Sequence, residues 1–241
     1  MPAGASGCGR DVRKRTVAAY NKIVSMPTYL DLETWPRREQ FHFFKGYDNP
    51  FFNVCANLDV TSLLRLAHSR DDIPFFLTYH YLALKAANEV EPFRYRLRDD
   101  RVLIHDRIDA GTTILLDGER FGFCYFDYDD DFARFAAQGT AAVESLRAGD
   151  GRLEPRDDRD DLIHCSVLPW ISFTSFSHAR KRNPQDSVPK IVFGKVFQDG
   201  DRSRMPISVE VHHAMMDGLH VGRYFERLES YLADPAAPLG L

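Results

Sequence analysis

The sequence predicts an α/β layered domain with a mixed β-sheet. Three observations predict it. Strand-like segments interleave with helical ones at irregular intervals, so neither an all-α nor a regular βαβ fold suits the pattern. The segment FFLTYHYLALKAANEV after Pro74 is apolar almost all round and reads as a buried helix. No Pro-, Gly- or Ser-rich linker and no repeat of solenoid period interrupts the 241 residues. That length allows one full-sized domain or two small ones, and the missing linker favours one, over residues 26–241.

Residues 1–25 form an N-terminal extension. It begins MPAGASGCGRDVRKR, lacks the apolar stretch of a secretory signal, and is expected to be flexible apart from a short helix over Val17–Val24. Phe51–Val60 is β-branched and aromatic and reads as a strand. Thr61 is expected to cap a short helix to His68, with Asp59 a second capping candidate. Pro74 can open the next helix, where its missing N–H does no harm. Phe93–Arg98 and Arg101–His105 flank Asp99-Asp100 as a hairpin. Thr112–Leu116 and Phe121–Phe126 read as strands and Phe132–Leu146 as a helix. The acidic run Asp127, Asp129, Asp130, Asp131 and the loop Gly149–Asp161 read as solvated. Further strands are expected at Leu162–Val167, Lys190–Phe197 and Ile207–His212. A last helix follows over Gly218–Leu232, with Leu219, Val221, Phe225, Leu228 and Leu232 near one face.

Composition removes several function classes. Lys and Arg total 31 against 35 Asp and Glu, a net charge of -4, which does not suit a nucleic-acid partner. No apolar run approaches the ~20 residues of a membrane span. Cys8, Cys55, Cys124 and Cys165 are too scattered for a zinc or redox motif and suggest reduced thiols in a cytoplasmic protein. The 18 Phe and 10 Tyr fill either a core or an apolar pocket.

The sharpest segment is ISVEVHHAMMDGLHVGR, residues 207–223. A histidine at a strand end beside a turn can project into a cleft, and its ordinary pKa of ~6.5 suits a general base. His212, His213, Asp217 and His220 could instead bind a metal, although adjacent histidines on a strand point to opposite faces. His212 and Asp217 also fit the HxxxxD spacing of glycerolipid acyltransferases, with His212 as base. A pair of satisfied core histidines is the remaining structural reading.

HHAMMDG followed by LHVGRYFERLESYL resembles the HHxxxDG signature and terminal helix of the type A chloramphenicol acetyltransferases, within a wider superfamily of coenzyme A-dependent acyltransferases. LETWPRREQFHFF, FRYRLRDDRVLIHD, CSVLPWISFTSFSHA and IVFGK resemble further family segments, so the likeness runs from about Leu30 to Leu232. The resemblance implies a two-layer α/β sandwich with a mixed β-sheet, the coenzyme A-dependent acyltransferase fold. It implies a homotrimer with active sites between subunits. The implied activity is transfer of acetyl from acetyl-CoA, a co-substrate, to a hydroxyl of a small molecule such as chloramphenicol. No permanently bound cofactor and no metal is expected.

By the same resemblance His213 is the general base and Ser166 the donor to the oxyanion. Arg37 pairs with Asp217 to hold the histidine turn, with Arg38 the neighbouring alternative. Phe43, Phe44, Phe121, Phe176 and His178 line the acceptor pocket, and Trp170 lies near coenzyme A. Two positions depart from the family pattern. Val192 stands where a threonine is common, and His178 where the antibiotic-modifying members have an apolar residue. Both bear on the acceptor more than on the reaction. Other hydroxylated metabolites therefore remain open as acceptors. So does a silent binder of hydrophobic ligands, although intact His213, Ser166, Arg37 and Asp217 argue against it. The acyltransferase core of a dehydrogenase complex would need a lipoyl domain, for which the extension is too short.

Overall fold

The computed structural model describes residues 27–149, 153–156, 158–181 and 183–241. The expected extension and its Val17–Val24 helix lie outside them.

The chain runs β1 (Thr28–Tyr29), α1 (Arg38–Phe44), β2 (Phe51–Asp59), α2 (Thr61–Ser69) and α3 (Phe75–Glu89). A 3-10 turn, Glu91–Arg94, leads into the hairpin β3 (Tyr95–Arg98) and β4 (Arg101–Ile104). β5 (Asp109–Leu116), β6 (Arg120–Phe126), α4 (Phe132–Ala148) and β7 (Leu162–Leu168) follow. β8 (Lys190–Gly194), β9 (Phe197–Asp199), β10 (Arg202–His212), α5 (Gly218–Ala233) and α6 (Ala236–Leu239) complete it. The main sheet has the order β2-β10-β8-β7-β5-β6, with β9 on the far part of β10. β7 is parallel to β5 and β8, and the other pairs are antiparallel, so the sheet is mixed. β1, β4 and β3 form a small second sheet.

Strand alternation makes two unlike faces. Ile207, Val209 and Val211 of β10, Ile191 and Phe193 of β8, and Ile163 and Cys165 of β7 are buried in one core with residues of α2, α3, α4 and α5. The next residue on each strand points the other way. Ser208, Glu210, His212, Lys190, Val192, His164 and Ser166 therefore share the helix-free face. All helices longer than two turns pack on the first face, which gives the expected two-layer arrangement.

The described residues of the connection from β7 to β8, 169–181 and 183–189, fold back over the helix-free face. Lys195 N–H donates to the Ile171 carbonyl at 2.9 Å, Ser172 Oγ to the Lys195 carbonyl, and Lys190 Nζ to the Ala179 carbonyl. This explains why Lys190–Phe197 is not one strand: the Lys195 N–H bonds the crossing segment instead of a strand of the sheet. Gly194 permits the close approach. A Cβ there would stand 2.6 Å from Pro206 Cγ and 2.8 Å from Phe173 Cε1. Gly194→Ala is expected to cost about 1–3 kcal/mol through overpacking. A urea midpoint equal to that of the wild type would contradict the packing of Phe173 on this strand.

Three further expectations need correction. Thr61 does not cap α2. Asp59 Oδ1 accepts the Thr61 N–H at 2.9 Å, and the Thr61 hydroxyl accepts from Ser203 N–H, tying α2 to β10. The first residues of Phe93–Arg98 are 3-10 rather than strand. Leu219 is 60% exposed, because two residues apart on a helix is about 200° around it. His220 and Tyr224 join Val221, Phe225, Leu228 and Leu232 on the buried side of α5.

Arg96 is wholly buried. Its guanidinium donates to the carbonyls of Phe93, Tyr95, Asp160 and Leu162, joining the hairpin to the start of β7. Burial lowers it to about 10, outweighing nearby Asp160 and Asp161.

Candidate active site

β10 ends at His212, and a tight turn, 213–217, leads into α5. Ala214 and Met215 are fully buried in a small second core with Phe41 of α1 and Tyr95, Leu97 and Val102 of the hairpin. The turn is thus seated on α1 and the hairpin. Its first residue, His213, is held on every side. The backbone N–H donates to the Pro50 carbonyl at 2.7 Å. Nδ1 lies 3.1 Å from the Met216 carbonyl oxygen. A carbonyl only accepts, so Nδ1 bears the proton and Nε2 has the free lone pair. The ring stacks on Phe44 at 3.8 Å between centroids and 8° between planes, with Phe52 at 4.6 Å.

Arg37 Nη1 pairs with Asp217 Oδ2, and Nη2 reaches the His213 carbonyl at 3.4 Å. Asp217 also caps α5. Its Oδ1 accepts from Leu219 N–H at 3.0 Å, and its own N–H donates to His220 Nδ1 at 3.1 Å. Burial pushes the Asp217 carboxyl up, but Arg37 and His220 pull harder and the net shift is downward. Arg38, the alternative partner, instead pairs with exposed Glu33.

Of the other readings of the histidine pair, that of a satisfied core histidine fits His212 alone. His212 is 1% exposed, its Nδ1 accepts the Ala214 N–H, and burial holds it neutral with a pKa of about 4. Its HxxxxD partner Asp217 is engaged with Arg37. Among the described residues no three His, Cys, Asp or Glu side chains gather as metal ligands.

Around His213 the surface is aromatic. Phe43 is 62% exposed and forms a cluster with Phe44 and Tyr47, all centroids within 5.3 Å. Tyr47 and Phe52 were not expected; both follow from α1 and the start of β2 converging on the histidine turn. The remaining expected residues lie elsewhere. Ser166 is opposite Val192 on β8, which is opposite Ser208 on β10. Val192 is fully buried, and Ser208 exchanges hydrogen bonds with Asn53. Phe176 and His178 belong to the crossing segment, with ring centroids 4.8 Å apart.

Phe121 is half-exposed on β6, the strand farthest from β2. Trp170, 61% exposed, lies on the rim of an open cleft of about 350 Å³. Phe75, Phe76, Tyr79 and Leu115 supply apolar walls, and Arg147 and Lys195 supply positive charge.

Within one chain Ser166 and His213 do not meet. His212 is four residues along β10 from Ser208, and Ser166 is two strands across. Strand rise and spacing put them ~17 Å apart, more than two side chains span. Phe121 and Trp170 lie beyond Ser166, farther still.

Comparison with known proteins agrees with these features. A family model described as chloramphenicol acetyltransferase matches residues 26–229. Chloramphenicol acetyltransferase 3 of Escherichia coli is 31% identical over 206 residues, covering 84% of this chain and 95% of that protein. Chloramphenicol acetyltransferase 2 of Escherichia coli is 33% identical over 204 residues, covering 84% and 95%. A solved chloramphenicol acetyltransferase superposes with a TM-score of 0.78 at 29% identity, covering 86% of this chain and all of the other. With a seated histidine turn, the mixed sheet and a family match over most of its length, the chain belongs to the chloramphenicol acetyltransferase family of acyltransferases.

Proposed function

We propose that the protein transfers acetyl from acetyl-CoA to a hydroxyl of chloramphenicol or a similar small molecule, through one catalytic domain over residues 26–241. The observation that supports this most is the His213 geometry: Nδ1 is committed to a backbone carbonyl, so Nε2 can take a proton. As the acceptor oxygen attacks the thioester carbonyl, its proton passes to Nε2. Ser166 Oγ donates to the oxyanion of the tetrahedral intermediate. Collapse breaks the C–S bond, and the coenzyme A thiolate takes the proton back from the imidazolium. The Phe44 face against the ring favours that transient cation. No acyl-enzyme forms, so positioning of both substrates supplies much of the acceleration.

The separation of Ser166 from His213 supports a site shared between subunits, as in a homotrimer whose facing chains supply one residue each. The acceptor then lies between His213, Phe43 and Phe44 of one chain and Ser166, Phe121 and Phe176 of the next. Coenzyme A would enter along the cleft at Trp170, where Arg147 and Lys195 suit its phosphates. Free Cys55, Cys124 and Cys165 fit a cytoplasmic enzyme.

Release of free thiol from acetyl-CoA in the presence of chloramphenicol tests the activity. Ser166→Ala is expected to lower kcat by ~10²–10³. Co-refolding Ser166→Ala with His213→Ala tests the shared site. Random assembly rebuilds about a quarter of the sites from one intact His and one intact Ser. No recovery on mixing, or a fully active monomer in sedimentation, would overturn the shared arrangement.

A further inference from the structure

A second cleft lies on the helix side of the molecule. It opens between the end of α3, the 3-10 turn Glu91–Arg94 and α5, with a volume of about 590 Å³. That is within the ~300–1,000 Å³ usual for ligand pockets. Val90 and Pro92 give it an apolar lining, and α5 supplies His220, Arg223 and Glu226. Residues three apart on a helix share a face, each ~4.5 Å farther along the axis.

The fold does not use all the polar groups of this cleft. Glu89 is held by Lys85 and Arg227, each at 3.2 Å, and by the Tyr231 hydroxyl. Glu91 accepts from the Tyr95 hydroxyl. Arg223 and Glu226 differ: among the described residues neither has an ion pair or a hydrogen bond. His220 is the third open group. Burial lowers its pKa against the pull of Asp217, with Arg37 and Arg223 adding to the lowering, so the ring is neutral at pH 7. Its Nδ1 accepts the Asp217 N–H at 3.1 Å. The proton is therefore on Nε2, which has no hydrogen-bond partner among the described residues.

This pattern selects a ligand class. Three carboxylates, of Glu89, Glu91 and Glu226, and two guanidiniums, of Arg223 and Arg227, line the cleft. A lone anion or a lone cation meets like charge there. A molecule carrying both signs can pair each of its ends. Arg223 and the His220 N–H suit a carboxylate, and Glu226, one turn farther along α5, suits an ammonium. Both α5 side chains are long, so the termini of an amino acid or a dipeptide reach them.

We propose that this cleft binds a small zwitterion, a free amino acid or dipeptide, with its carboxylate on Arg223 and His220 and its ammonium on Glu226. The cleft is a binding site in addition to the one for acetyl transfer.

Saturation-transfer NMR with glycylglycine on the full chain tests it. The wild type is expected to bind the dipeptide saturably. Acetate and methylammonium, each with one of the two charges, are expected to bind at least about tenfold more weakly. Arg223→Met and Glu226→Gln are each expected to raise the Kd for glycylglycine about tenfold. Both side chains are exposed, so the variants keep the fold. Chloramphenicol and acetyl-CoA are expected to leave the signal in place. No saturable binding, acetate binding as tightly as the dipeptide, an unchanged Kd in either variant, or displacement by either substrate overturns the inference. None of these outcomes bears on acetyl transfer, which thiol release measures separately.

Discussion

His213→Ala is expected to lower kcat by ~10²–10⁴ while leaving KM for acetyl-CoA and acceptor within a few-fold. An alcohol is almost wholly protonated at neutral pH, and removing Nε2 leaves its proton without a positioned acceptor. The substrates touch other groups, so their binding survives, and loss of kcat at constant KM marks an interaction made mainly in the transition state. The turn should survive too. The variant keeps the backbone N–H that donates to the Pro50 carbonyl, and Ala214 and Met215 remain the buried anchors. Some stability goes with the ring, which stacks on Phe44 and Phe52. Steady-state thiol release, with a melting curve on the same sample, separates the two effects. Equal rates of CoA release from wild type and a folded His213→Ala protein would remove His213 from the mechanism.

Much of this was legible in the sequence because the chemistry is local. The alternation of β10, the apolar girth of α3 and the HHAMMDG turn are each written within about 15 residues. Their placement then follows from burial. What escaped depends on contacts far apart in the chain. The strand expected at Lys190–Phe197 has the right residues, but its end is taken by the backbone of Ile171, which no local pattern announces. Tyr47 reaches the histidine's surroundings through Phe44 of α1, a seven-residue helix too short to show periodicity, and Phe52 meets the histidine from the start of β2. Nothing near Glu210 in the sequence marks its partners; only folding brings His178 and Arg180 to it. Arg37 and Asp217, 180 residues apart, were linked by resemblance, since neither residue's surroundings in sequence mark it as paired. The distance between Ser166 and His213 is likewise a property of register.

The Arg37–Asp217 pair yields the largest expected change in stability. Asp217→Ala is expected to destabilise the fold by about 3–5 kcal/mol, and Asp217→Asn by less. Two losses add in the alanine variant. Arg37, with its side chain 15% exposed, is left without its carboxylate, and its Nε is already without a hydrogen-bond partner. The first turn of α5 also loses the cap that accepts Leu219 N–H. Removing such a cap typically costs ~1 kcal/mol. Asparagine keeps a cap oxygen and loses only the charge, so the difference between the variants isolates the cap. Asp217 is itself about one-third exposed, which places the charge contribution toward the lower end of its range.

The sign of the pH dependence follows from the lowered carboxyl. A group with a depressed folded pKa stabilises above its unfolded value, 3.8 here, and that stabilisation disappears as the pH falls through the folded value. The gap between wild type and Asp217→Asn should therefore be full at pH 7 and close on acidification below the ordinary carboxylate range. Urea unfolding of both proteins across that range measures it. Activity supplies the second readout. Arg37 also reaches the His213 carbonyl, so losing the pair loosens the base as well as the helix, and kcat should fall in Asp217→Ala even where the protein is fully folded. A gap that is constant with pH, or an Asp217→Ala protein with wild-type kcat, would mean that the ion pair neither stabilises the turn nor positions the histidine.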